Sequence, residues 1–130
     1  MISKTSLLTI KALLELSRLP LGQIEGAGCI ARKIRAPRNY LGKVLQRLAL
    51  KGIVVSKKGL NGGFRLSKEP AQIKLFELID ALEGLKQWDG CFMGRRKCSE
   101  SNPCCAHQRW SLVSRAYINF LKNTSLLDLQ

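Results

Sequence analysis

Two short amphipathic segments around a tight turn, followed at once by a glycine-rich hairpin, constrain this fold more than any other feature of the sequence. From Leu41 to Leu48, apolar residues recur at positions i, i+3, i+4 and i+7, the spacing of one buried helix face. A shorter helix is predicted at about 27–34, and the turn between the two contains Pro37, a residue suited to a helix start. Two short helices joined in this way indicate a helix-turn-helix.

A β-hairpin is predicted directly after the second of these helices. Residues 53–56 read as an apolar strand, residues 57–63 as a turn rich in glycine, and residues 64–66 as the returning strand. A hairpin in this place is the wing of a winged helix. The predicted fold is therefore mainly α with a small β-hairpin: a winged helix-turn-helix domain plus a long C-terminal dimerisation helix.

Charge divides the chain into two parts. Its 130 residues contain 22 Lys and Arg against 9 Asp and Glu, and 15 of those bases but only 3 of the acids lie in residues 1–74. No acid occurs between Gly26 and Lys68. A surplus of this size favours a polyanionic partner. We therefore predict a DNA-binding domain at 1–74, and at 75–130 a nearly neutral part that holds a cysteine loop and the dimerisation helix.

The polar face of the second short helix and the hairpin supply candidate contacts to double-stranded promoter DNA. Bases and amides on a helix can reach base edges in the major groove, whereas bases on a wing suit phosphates or the minor groove. The aromatic platforms that stack unpaired bases are missing, which disfavours RNA. Gly42, in the middle of the helix, marks a close approach either to DNA or to another helix. The predicted contacts are Arg38, Asn39, Lys43, Gln46 and Arg47 on the helix, and Lys57, Lys58 and Arg65 on the wing.

A polar loop carries three cysteines and a histidine: Cys91, Cys98, Cys104 and His107. A cysteine that only fills space in a core has apolar neighbours, whereas the segment between the first two cysteines contains glycine and three bases. Positive charge lowers the pKa of a thiol, and the thiolate is the form that binds metal. The loop therefore predicts a metal or iron–sulfur site.

Three chemistries remain open for this loop on the residues alone. A structural zinc site of the Cys3His type would use all four side chains, although the gaps lack the Cys-x-x-Cys spacing typical of zinc. An iron–sulfur cluster tolerates wider gaps. A metal-free thiol switch would use the neighbours Cys104 and Cys105, and Cys105 could also replace His107 as a ligand. Cys29, outside the loop, is interpreted as a small buried residue.

The rest of the chain suggests a cytoplasmic, non-enzymatic homodimer. A long helix predicted at about 106–123 has a broad apolar stripe that suits a partner subunit. No apolar run reaches the roughly 20 residues of a membrane span, and the first residues lack the layout of a signal peptide. One histidine and few acids offer no nucleophile–base pair or paired carboxylates for catalysis. We expect no membrane association and no enzyme activity.

Nearly end to end, the sequence resembles the winged-helix bacterial repressors that include the iron–sulfur cluster biosynthesis regulator (IscR) and the nitric-oxide-sensing regulator (NsrR). The shared motifs are Tyr40-Leu41, Leu45-x-x-Leu48, Lys51-Gly52-Ile53-Val54, the wing Gly59-Leu-Asn-Gly-Gly-Phe-x-Leu66, the three spaced cysteines and the closing Ser125-Leu-Leu-Asp-Leu. The resemblance implies a homodimeric transcription factor, a repressor, whose iron–sulfur cluster changes its affinity for DNA.

The same resemblance implies a ligand set. Cys91, Cys98 and Cys104 match the family's three cysteine ligands, and His107 matches the histidine that completes the cluster in the biosynthesis regulator. The position that supplies a carboxylate ligand in the nitric-oxide sensor corresponds here to Leu7. The first gap holds six residues where the family usually has five. A histidine-ligated relative implies a 2Fe–2S cluster rather than a 4Fe–4S cluster, and therefore a redox sensor.

Overall fold

The structure is a computed structural model that describes residues 2–96 and 99–130. Cys98 therefore lies outside the described residues, as does Lys97. The main elements are α1 (Lys4–Ser17), α2 (Ala27–Ile34), α3 (Arg38–Leu50), β1 (Val54–Lys57), β2 (Gly63–Leu66), α4 (Leu75–Glu83), α5 (Lys86–Asp89) and α6 (His107–Asn123). Single 3-10 turns occur at Pro70–Gln72 and Leu127–Leu129.

Helices α1 to α3 enclose the core of the N-terminal part. The hydroxyl of Ser3 caps α1 by accepting a hydrogen bond from the backbone N–H of Ser6, 3.1 Å away, which satisfies one of the open donors at the helix start. Leu13 on α1 and Leu45 and Leu48 on α3 have no exposed surface, so the apolar faces of these helices point to one centre. The same core continues into α4, the end of α6 and the tail that follows it, where Leu78, Ile79, Leu121 and Leu126 are buried.

The two strands form an antiparallel hairpin in which Val54 pairs with Leu66 and Lys57 with Gly63. The hairpin is fastened to the helices by a second pairing, because Glu25 and Phe64 exchange backbone hydrogen bonds of 3.0 and 2.9 Å. A Cβ atom on Gly63 would lie 2.5 Å from the carbonyl oxygen of Glu25. Glycine is therefore required at this crossing.

The C-terminal tail returns to the segment between the hairpin and α4. Lys74 and Ser125 form an antiparallel bridge, and Leu126 donates its backbone N–H to the carbonyl of Ile73 at 2.9 Å. The carboxylate of Asp128 accepts two hydrogen bonds of 2.7 Å from the backbone and hydroxyl of Ser125. These contacts fix the end of α6 against the N-terminal part.

The winged helix-turn-helix predicted from the sequence is confirmed, and so is the long C-terminal helix. The predicted limits of this C-terminal helix, α6, agree with the structure to within one residue. The sequence did not predict α5 or the two 3-10 turns. Within the described residues, no helix has the length and apolar character to cross a membrane. The division at residue 74 stays a prediction.

Candidate nucleic-acid interface and metal centre

Helix α3 presents one buried and one solvent-facing side. Leu41, Val44, Leu45 and Leu48 pack inward. The opposite side forms a shallow surface that is free of acidic groups, so its charge is positive along the whole helix. All eight residues predicted to contact DNA are exposed: Arg38, Asn39, Lys43, Gln46 and Arg47 on α3, and Lys57, Lys58 and Arg65 on the hairpin.

Gly42 lies where α2 crosses α3. A Cβ atom at this position would lie 3.8 Å from the Cβ of Ala27, an ordinary van der Waals distance. The two helices thus meet at a pair of small residues, which lets α3 sit close to α2. Of the two close approaches that the sequence allowed, this contact accounts for the approach to another helix.

A basic cleft of about 810 Å³ separates the helix-turn-helix from the hairpin. Arg38 lies against Gly28 so closely that a Cβ on Gly28 would be 3.0 Å from its guanidinium Nε. Arg32 and Arg35 also line the cleft, and sequence reasoning did not include them among the DNA contacts. Arg35 ends α2 in the left-handed conformation, with φ 56°, and so turns the chain into α3. Both residues lie in the stretch between Gly26 and Lys68 that contains no acid, and this surplus of positive charge could have indicated them.

Glu25 links the helix-turn-helix to the hairpin through its side chain as well as its backbone. Its Oε1 accepts from Lys33 Nζ at 2.5 Å and from the Cys29 thiol at 3.0 Å. Burial raises the pKa of Glu25, but these two hydrogen bonds outweigh it and lower the pKa overall. The hydrogen bond to Glu25 and partial burial raise the pKa of the Cys29 thiol. Cys29 is therefore a protonated, half-buried structural residue, close to the role predicted for it.

A series of hydroxyl contacts joins α3, through α1, to the end of α4. The Tyr40 hydroxyl on α3 hydrogen-bonds to the Thr5 hydroxyl on α1. One residue further along α1, the buried Ser6 hydroxyl donates to the carboxylate of Glu83, the last residue of α4. The backbone N–H of Ser3 donates to the same carboxylate at 2.8 Å. Sequence reasoning missed these contacts because they join residues about 35 and 77 positions apart.

In the cysteine loop, the Sγ atoms of Cys91 and Cys104 lie 3.6 Å apart. Gly94 closes the turn after Cys91, with φ 75° and a backbone hydrogen bond of 2.9 Å to the Cys91 carbonyl. Backbone N–H groups of Arg95 and Met93 point at the Cys91 sulfur, and together with the Cys104 thiol they lower the pKa of Cys91 despite the opposing effect of burial. The Cys91 side chain is thus prepared for the thiolate form.

The sulfur separation fits a shared metal atom. A tetrahedral metal with metal–sulfur bonds of about 2.3 Å places two sulfur ligands roughly 3.8 Å apart. His107 begins α6 and donates its backbone N–H to the Cys104 carbonyl at 3.0 Å, so it lies one turn from that sulfur. The third predicted sulfur, Cys98, lies outside the described residues, and among the others no group of three metal-binding side chains is assembled.

Aromatic side chains hold the loop against α6. The ring of Trp110 lies 5.5 Å from that of Trp88 and 5.3 Å from that of Phe92, measured between centroids. Its indole N–H donates to the Gly90 carbonyl at 2.9 Å, directly before Cys91. Tyr117 packs on Trp88 at 4.1 Å, and burial raises the pKa of its hydroxyl. The first cysteine is therefore fixed to both α5 and α6.

The fold and the basic surface define this chain as a winged-helix DNA-binding protein. Residues 2–130 match the Rrf2 family, described as an iron-dependent transcriptional regulator, and the chain belongs to that family. It is similar to a putative HTH-type transcriptional regulator of Aquifex aeolicus, with 36% identity over 77% of this chain and 71% of that protein. It is also similar to the regulator IscR of Cronobacter sakazakii, with 32% identity over 70% of this chain and 56% of that protein.

Solved structures show the same fold at low sequence identity. The global cysteine regulator CymR of B. subtilis superposes with a TM-score of 0.79 at 24% identity, covering 99% of this chain and 95% of that one. IscR of T. potens gives 0.78 at 22% identity, covering 99% and 85%. The relatives are transcriptional regulators, not enzymes. The expected family and class are therefore confirmed.

Proposed function

We propose that this chain is a DNA-binding transcriptional repressor whose affinity for its operator depends on an iron–sulfur cluster held by Cys91, Cys98, Cys104 and His107. The observation that supports the proposal best is the 3.6 Å separation of the Cys91 and Cys104 sulfurs, in a loop where the pKa of Cys91 is lowered. Membership of a family described as iron-dependent points the same way. When bound, a cluster of this kind supplies one-electron redox chemistry and a target for reactive gases.

Helix α3 is the element that reads the operator. Its exposed amides and bases match hydrogen-bonding groups in the major groove, and the lysines of the hairpin neutralise phosphates beside it. The cleft lined by Arg32, Arg35 and Arg38 extends this positive surface to the wing. Operator binding thus involves both parts of the winged helix.

Helix α6 is the proposed dimer interface. Three large apolar side chains on it are more than half exposed: Leu112 at 68%, Val113 at 56% and Phe120 at 54%. A second copy of the chain that covers them would bring two α3 helices to half-sites about 34 Å apart, one helical turn of DNA. A dimer of this kind makes DNA affinity sensitive to small changes in the angle between protomers.

The chain's own residues provide a route from the loop to α3. Trp110 ties the loop to α6, Glu83 ties the end of α4 to α1, and Tyr40 ties α1 to the recognition helix. We infer that a change in the loop moves α4 and α6 and that α1 passes this displacement to α3. Couplings of about 1–3 kcal/mol between two sites are typical of such systems.

The test combines metal analysis with DNA binding. The protein is purified without oxygen, and its iron, sulfide and zinc contents are measured together with its visible absorption. Operator affinity is then compared with and without cluster at one salt concentration. We expect iron and sulfide in the wild type and a difference in affinity between the two forms. Equal affinity in both forms would reject the regulatory part of the proposal.

Substitution of Cys98, the middle cysteine of the proposed ligands, tests the ligand set. Cys98→Ser should lose iron and visible colour while its thermal unfolding stays close to that of the wild type. Cys29→Ser is the matched control, because Cys29 hydrogen-bonds to Glu25 outside the loop. Full iron content in Cys98→Ser would show that the ligand set is wrong. Zinc without colour in the wild type would instead favour the structural Cys3His site.

A thiol switch is the second candidate, and one observation favours a particular pair. At 3.6 Å, the sulfurs of Cys91 and Cys104 are close enough to form a disulfide after a small movement. Hydrogen peroxide would take two electrons and two protons from the two thiols and leave a disulfide and two waters. The distance thus favours Cys91 as the partner of Cys104, whereas the sequence suggested Cys105. Mass spectrometry of peroxide-treated, metal-free protein would identify the pair.

A further inference from the structure

Leu60, at the tip of the hairpin, is the most exposed large apolar side chain among the described residues, with a relative exposure of 102%. Water therefore surrounds it as completely as it surrounds an isolated side chain. Exposed apolar groups are common, but a fully solvated leucine at the end of a projecting turn contributes nothing to the core. Its burial against a partner would give the full benefit of removing a leucine from water.

The backbone of the turn holds Leu60 away from the protein. Gly59 has φ 106°, and its carbonyl accepts from the Gly62 N–H at 3.0 Å, which closes the turn. A Cβ on Gly62 would overlap the carbonyl oxygen of Lys57, so a residue with a side chain does not fit there. Together with the Glu25–Phe64 pairing, these constraints fix both the shape and the direction of the tip.

The charges around the tip indicate what covers Leu60. Lys57 and Lys58 precede it and Arg65 follows on β2, all three exposed, and no acid occurs between Gly26 and Lys68. A polyanion complements such a surface. The hairpin lies beside α3, so when α3 enters the major groove the tip reaches the adjacent minor groove. The walls of that groove are sugar C–H groups, which suit an aliphatic side chain.

We propose that Leu60 enters the minor groove of the operator and acts as an apolar wedge, partly unstacking one base step and bending the duplex. This inference rests on the DNA binding proposed above and adds a residue that determines specificity. Leucine is among the side chains that minor-groove proteins insert between base steps, with kinks of about 20–90°. The cost of unstacking depends on the step, and pyrimidine–purine steps deform most easily. Leu60 therefore selects operators with a deformable step under each wing.

The experiment uses the full chain and a 30-base-pair duplex that the wild type selects from a random-sequence pool. Its ends carry a fluorescence-transfer pair that reports bending, and 2-aminopurine beneath the wing reports unstacking. Leu60→Ala is compared with Leu21→Ala. Leu21 is a matched control because it is 98% exposed but lies in the loop between α1 and α2. Neither change removes a buried contact, so both variants should fold normally.

For Leu60→Ala we expect affinity roughly tenfold weaker, a smaller bend and loss of the 2-aminopurine signal, with Leu21→Ala like the wild type. Unchanged bend and unstacking in Leu60→Ala would overturn the wedge, even if affinity falls. Failure of the DNA-binding proposal is distinguishable, because the wild type would then select no sequence from the pool at all. Equal losses in both variants would also overturn the wedge, because they would reflect a general effect of removing exposed leucine.

Discussion

At the scale of single residues, Glu83 occupies the position where α4 meets the start of α1. Its carboxylate accepts from the Ser6 hydroxyl and the Ser3 N–H, and so joins the end of α4 to the start of α1. Burial raises its pKa, but the hydrogen bonds from Ser6 and Ser3 outweigh burial and lower the pKa below 4.5. Because the folded protein prefers the charged form, this contact stabilises the fold at neutral pH and is lost as pH falls through the folded-state pKa.

Glu83→Gln should therefore lower stability at pH 7 by about 0.5–1 kcal/mol, a modest value because the residue is solvent-exposed. As pH falls from 7 to below 4.5, the difference from the wild type should shrink, since the wild-type carboxylate becomes protonated as pH falls through its lowered pKa. Thermal unfolding across this pH range measures both effects. Glu69→Gln, at an exposed glutamate, is the control, and a loss of stability that did not vary with pH would contradict the role of charge.

At the scale of secondary-structure elements, α6 has two different faces. Trp110, Tyr117 and Leu121 pack toward the loop and the core, whereas Leu112, Val113 and Phe120 are exposed. An apolar face this long on the surface of a small chain is typical of a protein interface. The helix can thus contact the cysteine loop on one side and a second protomer on the other.

Phe120→Glu should convert a dimer to monomers, because it places a charge in the proposed apolar interface. Sedimentation velocity measures the mass of the wild type and the variant in solution. The variant should keep its helical circular dichroism, since the side chain is 54% exposed. Leu21→Glu, which adds the same charge elsewhere, is the control. A Phe120→Glu protein with the mass of the wild type would place the interface on another surface.

The elements themselves were predictable because their signals are local. Periodic leucines predicted α3, and glycines between short apolar runs predicted the hairpin. The contacts between elements were not predictable from these local sequence patterns. Tyr40 meets Thr5, and Ser125 meets Lys74, only because packing brings distant segments together. The site followed the same rule, since spacing indicated the cysteines but not that Cys91 and Cys104 adjoin.

At the scale of the whole molecule, the net positive charge is the property that most affects binding to DNA. A formal net charge of +13 on 130 residues is concentrated in the part that contains α3 and the wing. Each base that neutralises a phosphate releases a counterion, so affinity for DNA should fall steeply as salt rises. Lysine and arginine side chains that contact the edges of DNA bases should contribute to specificity, since they distinguish one DNA sequence from another.

Arg38→Ala and Lys58→Ala should separate these two effects. Loss of Arg38 should weaken operator binding by about 1–3 kcal/mol and weaken non-specific binding less, because we expect this arginine to contact a base edge. Loss of Lys58 should weaken both alike and reduce the slope of log affinity against log salt by about one. Titrations of operator and random duplexes at several salt concentrations measure these quantities. A uniform loss in Arg38→Ala would reassign that residue to phosphate contact.

The bridge between Lys74 and Ser125 gives the cysteine loop a particular mechanical setting. Everything from α4 to α6 forms a closed ring of chain whose two ends are clasped side by side. Because the bridge holds Lys74 and Ser125 side by side, the two ends of this segment do not move apart freely. We expect a contraction or expansion at Cys91 and Cys104 to tilt α4, which packs against α1, and α6, which faces the proposed second protomer.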